Sequence, residues 1–106
     1  MILQDIQACF QEGTHYYTRH AKEEMEQEEF GEILDQEVCD AISNGEIIEH
    51  YDDLKPYPAC LIYGNTAARR PLHIVCAYAA EEQRAIVITV YQPDPQRWID
   101  CSRRIV

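Results

Sequence analysis

Ile2, Leu3, Ile6, Cys9 and Phe10 recur at the spacing of one helical face, and Gly13 closes the pattern. Tyr16 and Tyr17 then lead into Thr18, whose hydroxyl suits the N-cap of a second helix read from the segment RHAKEEMEQEEF. The apolar face of that helix is thin. Ala21 and Met25 lie four apart, glutamates fill the remainder, and Gly31 ends it. Ile33 and Leu34 form a short apolar link. Asp35 is expected to cap a third helix that turns Val38, Ala41 and Ile42 to one side, and Asn44-Gly45 is a good C-terminal stop.

Beyond Gly45 the pattern changes to that of strands. EIIEHY (46–51), ACLIY (59–63), LHIVCAYA (72–79) and AIVITVY (85–91) are expected strands, separated by a loop from Asp52 to Pro58 and a turn at GNTAARRP (64–71). Helices first and strands later predict an α+β fold. Its N-terminal helices would pack on one face of a roughly four-stranded antiparallel sheet. The chain has 106 residues, so residues 1–106 are expected to form one domain.

Alternation adds a register. Leu72, Ile74, Cys76 and Tyr78 share one face of the third strand, and Ile86, Ile88 and Val90 share one face of the fourth. Both faces should meet the helices. A turn centred on Glu82 aligns them, with Ile74 opposite Val90 and Cys76 opposite Ile88. The other face then pairs His73 with Tyr91 and Val75 with Thr89, because a slip of one residue would invert every side chain.

Charge changes the picture further. The net charge is -10, which argues against nucleic acid, but it is unevenly spread. Residues 1–68 carry 15 acids and 3 bases, whereas residues 69–106 carry 4 acids and 6 bases. A basic face is therefore compatible with the acidic average. The five cysteines (Cys9, Cys39, Cys60, Cys76 and Cys101) are odd in number and lack a Cys-x-x-Cys pair, so they read as small apolar residues rather than a disulfide or zinc framework. No apolar run is long enough to span a membrane, and the N-terminus lacks a secretory pattern, so a cytoplasmic location is expected. His15, His20, His50 and His73 are too dispersed for a metal motif, and no phosphate-binding glycine loop or serine nucleophile elbow occurs. Neither a metal nor another cofactor is expected.

Four ordered blocks carry a resemblance: His20-Ala21, Gly45 to Tyr51, Pro71 to Cys76, and Thr89 to Trp98 with its Thr-Val-Tyr-x-Pro-Asp-Pro-x-x-Trp ending. Over roughly residues 16–104 the chain resembles a widespread bacterial family known as a domain of unknown function, which looks like a branch of the RelE/ParE/BrnT-like toxins. The resemblance implies a RelE-like fold and pairing with an antitoxin protein. RelE-like relatives cut RNA without a metal, and ParE-like relatives act on gyrase. One departure stands out. Family members usually carry arginine four residues after the helix histidine, and this chain has Glu24 there.

Metal-independent RNA cleavage needs proton-transfer groups and cations. His20, His73 and Tyr91 are the candidates for the first role. Arg69, Arg70, Arg103 and Arg104, with Arg19 and Lys22 behind them, are candidates to bind RNA phosphates. The structural alternatives are a structural His20 bonded to the sheet or a loop, a register-setting His73–Tyr91 pair, solvated arginines and a core-packed Trp98. Two expectations follow. One is a toxin–antitoxin-type endoribonuclease acting on RNA or at the ribosome. The other is a non-catalytic interaction module whose acidic helices bind a basic or antitoxin-like partner. The sequence leaves a homodimer open.

Overall fold

The computed structural model describes residues 2–104, and of Arg104 it describes the backbone but not the side chain. In chain order the elements are α1 (Ile2–Glu12), β1 (His15–Tyr17), α2 (Arg19–Gln27), α3 (Asp35–Ser43), β2 (Glu46–Tyr51), β3 (Ala59–Asn65), β4 (Pro71–Ala79) and β5 (Arg84–Tyr91). A small hairpin of β6 (Trp98–Ile99) and β7 (Arg103–Arg104) follows. The protein is α+β, as the element order predicts. The sheet, however, has five strands rather than four and is mixed rather than wholly antiparallel, in the order β1-β5-β4-β3-β2. The extra strand is β1, which runs parallel to β5 and pairs His15 with Ala85 and Tyr17 with Val87. Three residues are too few for alternation to announce a strand.

Local chemistry explains the helix limits. Gly13 leaves α1 at φ 76°, a left-handed conformation that favours glycine. The Thr18 hydroxyl accepts the Ala21 N–H at 3.1 Å and caps α2 as expected. Helix α2 ends at Gln27, short of the expected Phe30. After Met25 no apolar residue continues its buried face, so a further turn would gain no packing. Leu34, not Asp35, is the N-cap of α3, and the Glu37 side chain reaches back to the Leu34 N–H at 3.0 Å. At the far end, the Asn44 side chain donates to the carbonyls of Asp40 and Asn65 and accepts from the Asn65 N–H, tying α3 to the end of β3.

The helices cover one face of the sheet. Ile6, Ala21, Val38 and Ile42 meet Ile62, Leu72, Ile74 and Val90 in a continuous buried cluster. Helix α3 lies so close to β3 that a Cβ on Gly64 would sit 1.9 Å from the Ala41 carbonyl oxygen. That proximity, rather than turn geometry, requires glycine there.

The predicted register holds for half of the β4–β5 ladder. His73 faces Tyr91, Ile74 faces Val90, and Val75 faces Thr89. The ladder then shifts, and Cys76 faces Val87 instead of Ile88. The extra residue in β5 is a bulge. It exchanges the faces of the strand, so Ala85 and Val87 enter the helix-side core while Ile86 and Ile88 remain half-buried. Among the described residues, no helix is long and apolar enough to cross a membrane.

Candidate functional site

Beyond the short β1, the free edge of β5 is finished by side chains of α2. Thr18 donates its N–H to the Val87 carbonyl at 3.0 Å and its hydroxyl to the Ile88 carbonyl at 3.3 Å. The Glu24 carboxylate accepts the Val90 N–H at 3.1 Å. Glu28 lies one helical turn further on. Burial pushes its carboxyl above the ordinary value, and N–H groups of Gln92 and Phe30 offset part of the rise. Helix α2 thus supplies acceptors where a neighbouring strand would have supplied carbonyls. The anion at position 24, a loss of charge when read against the family pattern, has a defined structural partner.

Between α2 and the segment after β5 lies a groove of about 610 Å³. Glu24, Glu28, Glu29 and Asp94 line it with Tyr91 and Trp98, and among the described residues Arg97 is its one lining cation. The Pro-Asp-Pro-x-x-Trp segment builds its outer wall. The Asp94 side chain accepts the Gln96 N–H at 2.8 Å, and its carbonyl accepts the N–H groups of Arg97 and Trp98. This turn brings Trp98 back under the sheet, where it is 5% exposed.

There it covers His73, which is fully buried on the face away from the helices. The two rings meet edge to face with centroids 4.4 Å apart, and Tyr63 and Tyr91 flank the imidazole. Nε2 lies 2.5 Å from the Cys101 carbonyl, which can only accept, so this nitrogen carries the hydrogen. Nδ1 lies 3.1 Å from the Tyr91 hydroxyl, within hydrogen-bond distance. Both ring nitrogens have partners. The carbonyl comes from the three-residue turn between β6 and β7, in which Asp100 and Cys101 both adopt positive φ.

The structure brings two of the three residues expected to transfer protons into contact. His73 and Tyr91 are in contact. His20 projects from α2 on the helix side of the sheet, 67% exposed and 3.4 Å from Glu24. The expected RNA-binding residues do not converge on the groove. Arg70 is a clamp: it donates to Gln92 Oε1 at 2.7 Å, to the carbonyls of Gly31 and Glu32, and to Glu37. Arg69 is exposed in the β3–β4 turn at φ 65°. Arg19 is exposed and pairs with Glu23, Lys22 is exposed on α2, and Arg103 is exposed on β7. The side chain of Arg104 lies outside the described residues.

A second constellation escaped the sequence reading. His15 Nε2 lies 2.9 Å from Asp35 Oδ1, which also accepts the Tyr17 hydroxyl at 2.5 Å. Cys39 Sγ stands 4.0 Å from His15 Nε2 and 3.9 Å from Asp35 Oδ2. Burial raises the Asp35 carboxyl, but hydrogen bonds from Tyr17 and His15 outweigh it and leave the group below its ordinary value. Burial, reinforced by Asp35, pushes the Tyr17 hydroxyl and the Cys39 thiol upward. The available sequence signal was Asp35 and Cys39 one helical turn apart. Nothing linked them to a histidine 20 residues earlier.

The fold and groove define an α+β protein with helices on one face of a mixed sheet and a folded-back hairpin on the other. The chain belongs to the family described as Domain of unknown function (DUF4258), which matches residues 17–92. The match ends before Asp94 and Trp98, so the last part of the expected motif lies outside it. No curated protein and no solved structure matches the chain.

Proposed function

We propose that this protein is a toxin–antitoxin-type interaction module that receives a basic segment of an antitoxin-like partner in the groove between α2 and the C-terminal turn. The observation that carries this reading is the groove's charge: among the described residues, four carboxylates face one arginine around an aromatic wall of Tyr91 and Trp98. A net charge of -10 favours the same class of partner by steering it. The relation to RelE/ParE/BrnT-like toxins and a cytoplasmic setting belong to this proposal. The arrangement of N-terminal helices on one sheet face agrees with that relation. The endoribonuclease alternative needs His20, His73 and Tyr91 around one phosphate. Here His73 is fully buried, His20 is largely exposed on α2 beside Glu24, and the carboxylate-lined groove beside Tyr91 would repel the phosphate.

Trp98 is the one tryptophan of the chain, so its fluorescence reports on the groove directly. A short Arg/Lys-rich peptide is expected to shift that emission, with affinity falling as salt rises. Replacing both Glu28 and Glu29 with glutamine should weaken binding about tenfold, the effect of losing two partly exposed charge pairs. A single-stranded RNA oligonucleotide should neither shift the emission nor be cut. Metal-free RNA cleavage that is lost in Tyr91→Phe would replace this reading with the nuclease one.

A further inference from the structure

A separate site lies beneath β1, sharing no residue with the groove and independent of its proposed role. Alternation along β1 turns His15 and Tyr17 to the helix side while Tyr16 points out. Asp35 and Cys39, one turn apart on α3, emerge on one side of that helix. One donor atom from each of His15, Asp35 and Cys39 falls within 4.8 Å of the other two. Around a tetrahedral zinc ion, with bonds of about 2.0–2.3 Å to nitrogen, oxygen and sulfur, neighbouring donors stand roughly 3.3–3.6 Å apart. His15 Nε2 stands 2.9 Å from Asp35 Oδ1 and 4.0 Å from Cys39 Sγ, both within about half an ångström of that geometry, and Sγ meets the other carboxylate oxygen, Oδ2, at 3.9 Å. Small side-chain rotations would equalise them.

The imidazole is already held in place. Phe10 stacks on it at a centroid distance of 4.1 Å with 16° between the planes, and the His15 side chain is 13% exposed. Tyr17 orients the Asp35 carboxylate from the other side. A cleft of about 310 Å³ reaches Cys39 past Phe10 and Asp40, which provides an entry path. Nitrogen, carboxylate oxygen and thiolate sulfur together suit zinc rather than a hard cation such as magnesium.

We propose that His15, Asp35 and Cys39 form a zinc-binding site, with the fourth position left to water or another small ligand. Binding is a displacement: the Cys39 S–H bond breaks as a zinc–sulfur bond forms and that proton passes to buffer, while the His15 ring hydrogen moves from Nε2 to Nδ1 and leaves the Nε2 lone pair for zinc. One further feature sets the strength. His15 Nδ1 is buried without a hydrogen-bond partner among the described residues. Metal-bound histidines usually donate this second N–H, and loss of such a partner weakens metal binding roughly 10–100-fold. The site therefore exchanges its ion instead of holding it permanently.

The test uses the full reduced chain, titrated with Zn²⁺ against a chromophoric chelator and with Co²⁺ followed by absorption. One equivalent of metal should bind, with about one proton released per ion and a thiolate-to-cobalt charge-transfer band. Cys39→Ser should abolish the band and weaken zinc at least about tenfold, while Cys101→Ser leaves both intact. Should Cys39→Ser fail to fold, Asp35→Asn, at a largely exposed side chain, must weaken zinc by a similar factor. Absence of metal binding in the parent chain would overturn the site. So would a charge-transfer band persisting in folded Cys39→Ser, or unchanged zinc affinity in folded Asp35→Asn.

Discussion

The two faces of the sheet are closed by different chemistry. On the helix side, Ile62, Leu72, Ile74, Val87 and Val90 meet apolar residues from three helices, and shape governs the contact. On the other side, Tyr63, His73, Tyr91 and Trp98 pack edge to face around one imidazole, which the Cys101 carbonyl fixes by a hydrogen bond. The first closure tolerates little change in volume. The second tolerates little change in donor and acceptor placement, and it depends on a short hairpin near the end of the described chain. One face is the structural foundation, and the other is a smaller unit folded onto it.

This comparison can be broken most forcefully at Gly64. Gly64→Ala drives a methyl group into the backbone of Ala41, so α3 must move off β3. The expected loss is about 3 kcal/mol or more, at or beyond the upper end for overpacking, read from chemical denaturation. Hydrogen exchange should then lose protection across β3, β4 and β5 together. A loss under about 1 kcal/mol would show that the α3–β3 contact is soft.

On the opposite face Trp98→Ala is expected to cost roughly 3 kcal/mol at most, the lower end for losing a buried tryptophan, because the hairpin can fray without the rest. Amides of residues 98–104 should exchange freely while β4 and β5 stay protected. Equal loss of protection on both faces would make the sheet and its hairpin one cooperative unit.

The smallest effect concerns Tyr17. Its folded-state pKa is raised well above the usual 10.0, chiefly by burial and then by the Asp35 hydrogen bond. The unfolded chain therefore ionises Tyr17 first as pH climbs. The stability linked to this group is complete below about pH 10 and declines above it. Stability measured from pH 9 to 11 should fall less steeply in Tyr17→Phe than in the parent chain. Parallel slopes would show that the hydroxyl is freer than its contacts indicate.

These differences also explain what could be read from residues alone. Leu72, Ile74 and Cys76 announced the helix-side face because burial on one side writes a period of two into a strand. The same alternation placed His73 beside Tyr91. It could not show that Trp98 and the Cys101 carbonyl would seal the pair, since a hairpin returning from beyond the strand leaves no periodic mark. The bulge at Ile88 was hidden because Ile86, Val87 and Ile88 are all apolar and either phase is acceptable. β1 is too short to show a period, and with it went the meeting of His15, Asp35 and Cys39. Glu24 read as a missing cation until the unpaired Val90 N–H gave it a partner.

The parallel pairing of β1 with β5 has a consequence in time. Thr18 and its partner Ile88 are separated by 70 positions. A ribosome would release the first helix and β1 long before the strand that completes them has been made. The antiparallel ladder from β2 to β5 closes over much shorter loops and is expected to assemble first. Until then, the beginning of the chain waits with Ile6 and Ala21 uncovered, and docking of β1 is the late event that ends this vulnerable interval.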